Sequence, residues 1–166
     1  MAGALIVTVE IAARDFSWLE GLRRSNYPLD RNRVPAHLTM FRSLPPSAET
    51  ELRTRLAQVV RQPPPKAMIA GLMDLGGGVA FRIVSPDLDR IREELAQDLH
   101  GMLGAQDSGG WRPHITIQNK VVPKVARALK ASLERSFAPR ALAISGLGLK
   151  RYVGGPREPL AIYSFR

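Results

Sequence analysis

The chain has no cysteine. That excludes disulfides and thiolate chemistry, and it suits a reducing, cytoplasmic setting. It also has no apolar run of membrane-spanning length, so no membrane association is expected. The apolar stretch Ala4-Leu5-Ile6-Val7 lacks the basic flank of a signal peptide and is broken by Glu10, which makes it a strand candidate. Acidic residues are outnumbered 15 to 24 by lysine and arginine, leaving a net charge of +9 that favours phosphate-bearing partners. Histidine and threonine are scarce as well, at three and five copies in 166 residues.

Against that scarcity, His37-Leu38-Thr39-Met40 and His114-Ile115-Thr116-Ile117 repeat one pattern and use two of the three histidines. Chance would place a threonine two residues after two of the three histidines with odds of about 0.003. In a strand, residues i and i+2 share a face. Each motif therefore presents histidine and threonine on one side, and Leu38 with Met40 or Ile115 with Ile117 to a core on the other. If both polar faces line one cleft, two imidazoles can move protons in opposite directions near neutral pH, and two hydroxyls can hold an anion. His100, near the predicted end of a helix, is assigned no such role.

The remaining pattern predicts one domain over residues 1–166, since 45% hydrophobic and 23% charged residues are ordinary for a globular chain of this length. Strands are expected near 4–12, 36–42, 66–73, 78–84, 141–150 and 159–165, with the second motif strand following the glycine-rich 104–110. A short helical turn is expected around Phe16–Leu22. Ser47 is the expected N-cap of a helix with Leu52, Leu56 and Val59 or Val60 on its face, ending by Pro63-Pro64-Pro65. Ser85 with Pro86 starts a second helix, striped by Leu88, Ile91, Leu95, Leu99 and Met102. Pro123 starts a third, striped by Val125, Leu129 and Leu133. Gly76-Gly77-Gly78 and Gly154-Gly155-Pro156 are turn signals.

Pro35-Ala36-His37-Leu38-Thr39-Met40-Phe41, Arg112-Pro113-His114-Ile115-Thr116-Ile117-Gln118-Asn119-Lys120 and the late Arg151-Tyr152-Val153-Gly154-Gly155-Pro156 resemble the 2H phosphoesterase superfamily. This family is named for paired H-x-(T/S)-x motifs, and the resemblance is to its bacterial 2′-5′ RNA ligase-like and cyclic phosphodiesterase branch. It implies an α+β fold of two pseudo-symmetric lobes, mostly antiparallel sheet with flanking helices, around a central cleft carrying one motif from each lobe. It implies hydrolysis of a 2′,3′-cyclic phosphate or a 2′-5′ RNA linkage, or the reverse ligation, with no metal or other cofactor. His37 and His114 are the implied catalytic pair, with His114 as base and His37 as acid, and Thr39 and Thr116 the phosphate contacts. RNA ends or small nucleotide phosphates are the implied partners. A noncatalytic RNA- or nucleotide-binding protein and a hydrolase of non-RNA cyclic phosphates, ADP-ribose-derived ones included, are the alternatives.

Strict alternation extends the polar face to Phe41, where many relatives carry arginine, and to Gln118 and Lys120, while turning Arg42 away. Phe41 is then placed to stack on a base, and Lys120 to meet a phosphate as a point charge. Tyr152 is a further candidate substrate contact. Arg31, Arg33, Arg42, Arg112, Lys120 and Lys124 lie near the motifs in sequence, whereas Asp87, Asp89, Glu93, Glu94 and Asp98 gather on the second predicted helix.

Overall fold

The computed structural model describes residues 3–166 and contains two four-stranded antiparallel sheets with flanking helices. Strand β1 (Leu5–Ile11) leads to helix α1 (Ala13–Asn26), then to β2 (Leu38–Leu44) and α2 (Glu49–Val59). The hairpin of β3 (Ala67–Asp74) and β4 (Val79–Val84) precedes α3 (Pro86–Asp98), a single turn α4 (Ala105–Ser108), β5 (His114–Gln118) and α5 (Pro123–Glu134). The chain closes with β6 (Arg140–Leu142), β7 (Ile144–Tyr152) and β8 (Arg157–Ser164). The sheets run β2-β1-β7-β8 and β5-β4-β3-β6, so each motif strand is an edge strand of its own sheet. The α+β, two-lobed architecture matches the expectation.

Leu38, Met40, Ile115 and Ile117 are all buried, as alternation predicts, in a core to which both sheets contribute. Ser85 does cap α3: its hydroxyl accepts from the Leu88 amide at 3.1 Å and donates to the Lys66 carbonyl at 2.6 Å. No helix among the described residues is long and apolar enough to cross a membrane.

Several elements depart from the sequence expectation. The turn expected at Phe16–Leu22 is a 14-residue helix whose buried residues are Asp15, Leu19 and Arg23. Two of those three are charged, so the buried stripe carries no apolar period. Ser47 caps nothing; it sits in a 3-10 turn over Pro46–Ala48, and α2 starts at Glu49 with Glu49 and Glu51 in its first turn. Helix α3 stops at Asp98, leaving Met102 beyond it and exposed, while in α5 the buried residue is Ala126 and Val125 is exposed.

The strand expected over 141–150 is two strands in different sheets, since β6 pairs with β3 and β7 with β1. Ala143 is the crossing point. Its amide donates to Asp15 Oδ2 at 2.8 Å and its carbonyl accepts from the Ala12 amide at 2.9 Å. Helix α1 thereby anchors the passage between lobes, and the buried Asp15 is satisfied by it.

Candidate active site

Each motif strand carries a β-bulge immediately after its threonine. Thr39 pairs with Thr8 but Phe41 pairs with Val7, and Thr116 pairs with Ala80 but Gln118 pairs with Val79. Two steps on the motif strand face one on its neighbour, so Met40 and Ile117 are the extra residues and the in–out alternation reverses beyond them. Phe41 therefore turns inward and is fully buried, and Gln118 is 3% exposed. Neither lines the cleft. Arg42 and Asn119, expected on the far side, line it instead. Lys120 has left the strand with φ of 64° and is exposed outside the cavity wall. The three predicted contacts Phe41, Gln118 and Lys120 are thus corrected by one local event repeated in both lobes.

The bulges are held by residues from the opposite half. On α3, Arg92 donates through Nε to the Met40 carbonyl at 3.0 Å and through Nη2 to the Asp107 carbonyl at 2.8 Å. Its guanidinium lies 4.7 Å from the Phe41 ring centre. The Asp107 carboxylate accepts from the Arg42 and Ser43 amides at 2.7 and 2.9 Å, which supplies partners where the bulge and strand edge leave amides unpaired. Trp111 Nε1 donates to the Thr39 carbonyl at 3.0 Å. In the other lobe, the buried Arg23 of α1 donates to the Thr116 carbonyl at 2.9 Å and to Asn32 Oδ1 at 2.9 Å. Gly78 has no room for a Cβ because the Gln118–Asn119 backbone of the second bulge lies against it.

One cavity of about 960 Å³ lies between the lobes and is lined by His37, Thr39, His114 and Thr116 together. Tyr152 also lines it, as do Arg42, Arg112, Trp111, Asn119 and Arg157. Arg31, Arg33 and Lys124 do not. Both imidazoles are held the same way: Nδ1 of His37 lies 2.8 Å from the Pro35 carbonyl, and Nδ1 of His114 lies 2.8 Å from the Arg112 carbonyl. A carbonyl only accepts, so each Nδ1 carries hydrogen and, in the neutral ring, each Nε2 carries the lone pair.

Burial pushes the His37 imidazole down to about 4, against the Pro35 hydrogen bond, with the Arg157, Arg23 and Lys150 charges adding to the depression. His37 is therefore neutral at pH 7. Among the described residues, Asp107 is the sole carboxylate of the cavity wall and is occupied by backbone amides, while four arginines, Arg42, Arg92, Arg112 and Arg157, line it. The cavity wall is thus predominantly cationic and carries two imidazoles. No group of three or more His, Asp or Glu side chains among the described residues is arranged to hold a metal. Proximity to the motifs in sequence finds Arg42 and Arg112; it misses Arg92, Trp111, Asp107 and Arg157, which arrive from α3, the loops around α4 and the last hairpin.

The 2′-5′ RNA ligase superfamily model matches residues 9–156, most of the chain. The protein belongs to this family of 2H phosphoesterases. No curated protein sequence matches it. Among solved structures, E. coli LigT complexed with 3′-AMP superposes with a TM-score of 0.66 at 18% identity, covering 99% of both chains. The Thermus thermophilus protein TT0787 superposes with a TM-score of 0.69 at 17% identity over 98% of both chains. E. coli LigT complexed with NADP+ gives 0.60 at 16% identity over 99% of both. At such identities these superpositions establish the shared LigT-like fold.

Proposed function

We propose that the protein is a phosphoesterase that hydrolyses a 2′,3′-cyclic phosphate, at an RNA end or on a small nucleotide, or a 2′-5′ RNA linkage, by two-histidine acid–base catalysis without a metal. The observation that carries this reading is the matched pair of imidazoles, each locked through Nδ1 to the carbonyl two residues earlier, on the wall of one cationic cavity. Family membership supports the class of chemistry. Structures of the fold relative LigT hold 3′-AMP, NADP+, ATP and phosphate, which supports a nucleotide phosphate as occupant.

His37 Nε2, neutral in the free protein, takes the proton of the attacking water. His114 gives a proton to the departing ribose oxygen. This assignment reverses the one implied by resemblance, and its cause is the desolvated, cation-flanked position of His37. The Thr39 and Thr116 hydroxyls donate to nonbridging phosphate oxygens as charge moves onto them, and ligation is the same path run backwards with the roles exchanged. The cysteine-free chain suits work in the cytoplasm on RNA ends or free nucleotides.

The test is turnover of 2′,3′-cyclic mononucleotides and short cyclic-phosphate-ended RNAs in EDTA. His37→Ala and His114→Ala are each expected to lose about 10²- to 10⁴-fold in kcat while remaining folded. Turnover at the wild-type rate in the double variant would refute the mechanism. No turnover by the wild type, with nucleotide binding unaffected by removing both rings, would favour a noncatalytic nucleotide-binding protein in the same cleft.

A further inference from the structure

Arg157 is the first residue of β8 and pairs across the hairpin with Tyr152. Tyr152 lies two residues beyond Lys150, which pairs with Ile6 of β1. That register puts Arg157, Tyr152 and Ile6 on one face of the sheet, and all three line the cavity. Yet Arg157 Nη1 is shut off from solvent and has no hydrogen-bond partner among the described residues. No carboxylate among the described residues lies within ion-pair distance of its guanidinium. The charges that act on it are the Arg23 and Arg42 guanidiniums, both repulsive, and with burial they push its pKa down.

A half-buried guanidinium with one shut-off, unpartnered nitrogen beside two more cations is costly, and a folded chain retains one where something else completes it. Arg92 and Arg23 show the contrast, since Arg92 donates to two backbone carbonyls and Arg23 to the Thr116 carbonyl and Asn32 Oδ1. Arg157 spends none of its Nη1 capacity. Arg157 lines a cavity that also carries two threonine hydroxyls and whose one carboxylate among the described residues is already occupied.

We infer that Arg157 is the phosphate-binding cation of the cleft, its guanidinium donating to a phosphate oxygen of the ligand beside His37. The last β-hairpin thereby supplies charge that neither motif strand carries at Phe41 or Gln118. The same guanidinium has a second effect, because its charge helps hold His37 neutral. Arg157 binds the phosphate and keeps the neighbouring imidazole able to accept a proton.

The inference rests on the proposed function only in placing a phosphate in the cleft, and it is tested without turnover. Inorganic phosphate and 3′-AMP are titrated into the full-length wild type, Arg157→Met, Arg157→Gln and Lys124→Gln, with binding read by calorimetry and His37 by NMR. Both Arg157 variants are expected to bind each probe about 10- to 100-fold more weakly, the loss of a charge-assisted hydrogen bond. Their ligand-free thermal midpoints should equal or exceed that of the wild type, since a half-buried charge without an ion-pair partner has been removed.

The His37 titration midpoint should move up in both, because a nearby cation is gone. Lys124→Gln removes the same charge outside the cavity and should bind as the wild type does. Wild-type phosphate affinity in the Arg157 variants, an equal loss in Lys124→Gln, or a marked fall in the thermal midpoint of both Arg157 variants would overturn the inference. If cyclic phosphates are not hydrolysed but these results hold, the phosphate site stands without the proposed reaction.

Discussion

Protonation of His37 offers the sharpest test of the cleft's electrostatics. Folding lowers this imidazole from an ordinary 6.5 to about 4, mainly by burial, with Arg157, Arg23 and Lys150 contributing. Between those values the unfolded chain holds a proton that the folded chain does not, so stability attributable to His37 is full above about 6.5 and falls as pH drops toward 4. At about 1.36 kcal/mol per tenfold change in proton affinity, the separation amounts to about 3 kcal/mol at pH 4. Other groups titrate in that window, so the comparison is with His37→Gln, which has no proton to take.

Urea unfolding at intervals from pH 7.5 to 4 should show wild type losing about 3 kcal/mol relative to His37→Gln across the range. NMR of the His37 ring should show no titration between pH 7 and 5. If His37 acts as base, the acidic limb of kcat/KM should lie well below pH 6.5 and follow the same midpoint. A His37 ring that titrates near 6.5, with parallel stability curves for the two proteins, would refute both the burial argument and the assignment of this residue as base.

Phe41→Ala should cost about 3–5 kcal/mol of stability by denaturant unfolding, because Phe41 is a fully buried ring turned inward by the bulge; a stable variant with a changed KM would instead place Phe41 in the cleft. Arg92→Met should lose about 2–4 kcal/mol and reduce turnover through displacement of Arg42 and Thr39, since it orphans the Met40 and Asp107 carbonyls; Arg92→Lys, which keeps one donor, should recover part of each, and equal loss in both variants would contradict a positioning role. Thr116→Val should leave stability within about 0.5 kcal/mol and lower kcat by about 10- to 100-fold, measured on the best cyclic phosphate of the panel; unchanged kcat would remove the hydroxyl from the mechanism.

The resemblance carried by the motifs implied the α+β class, while the paired motifs, their buried Leu38, Met40, Ile115 and Ile117 backs and the Ser85 cap were legible in the chain itself. Each depends on residues a few positions apart, through alternation, capping geometry or turn chemistry, and a repeated rare pattern survives any choice of strand order. Only the Phe16–Leu22 part of helix α1 was legible, because its buried residues Asp15 and Arg23 are satisfied by Ala143 and Thr116 far along the chain, and no apolar period announces them. The two bulges were not legible. A bulge is defined by the register with a partner strand, and here it is held by Arg92, Asp107 and Arg23 from other elements.

Tertiary structure therefore decided which side chains beyond Thr39 and Thr116 face the cleft, exchanging Phe41 and Gln118 for Arg42 and Asn119. It also decided how far His37 is buried and which cations gather there, bringing Arg157 from the final hairpin to that imidazole, and so its protonation state. Local sequence sets what a strand presents on each face. Only packing between distant segments sets where alternation is interrupted and which charges are stripped of water together.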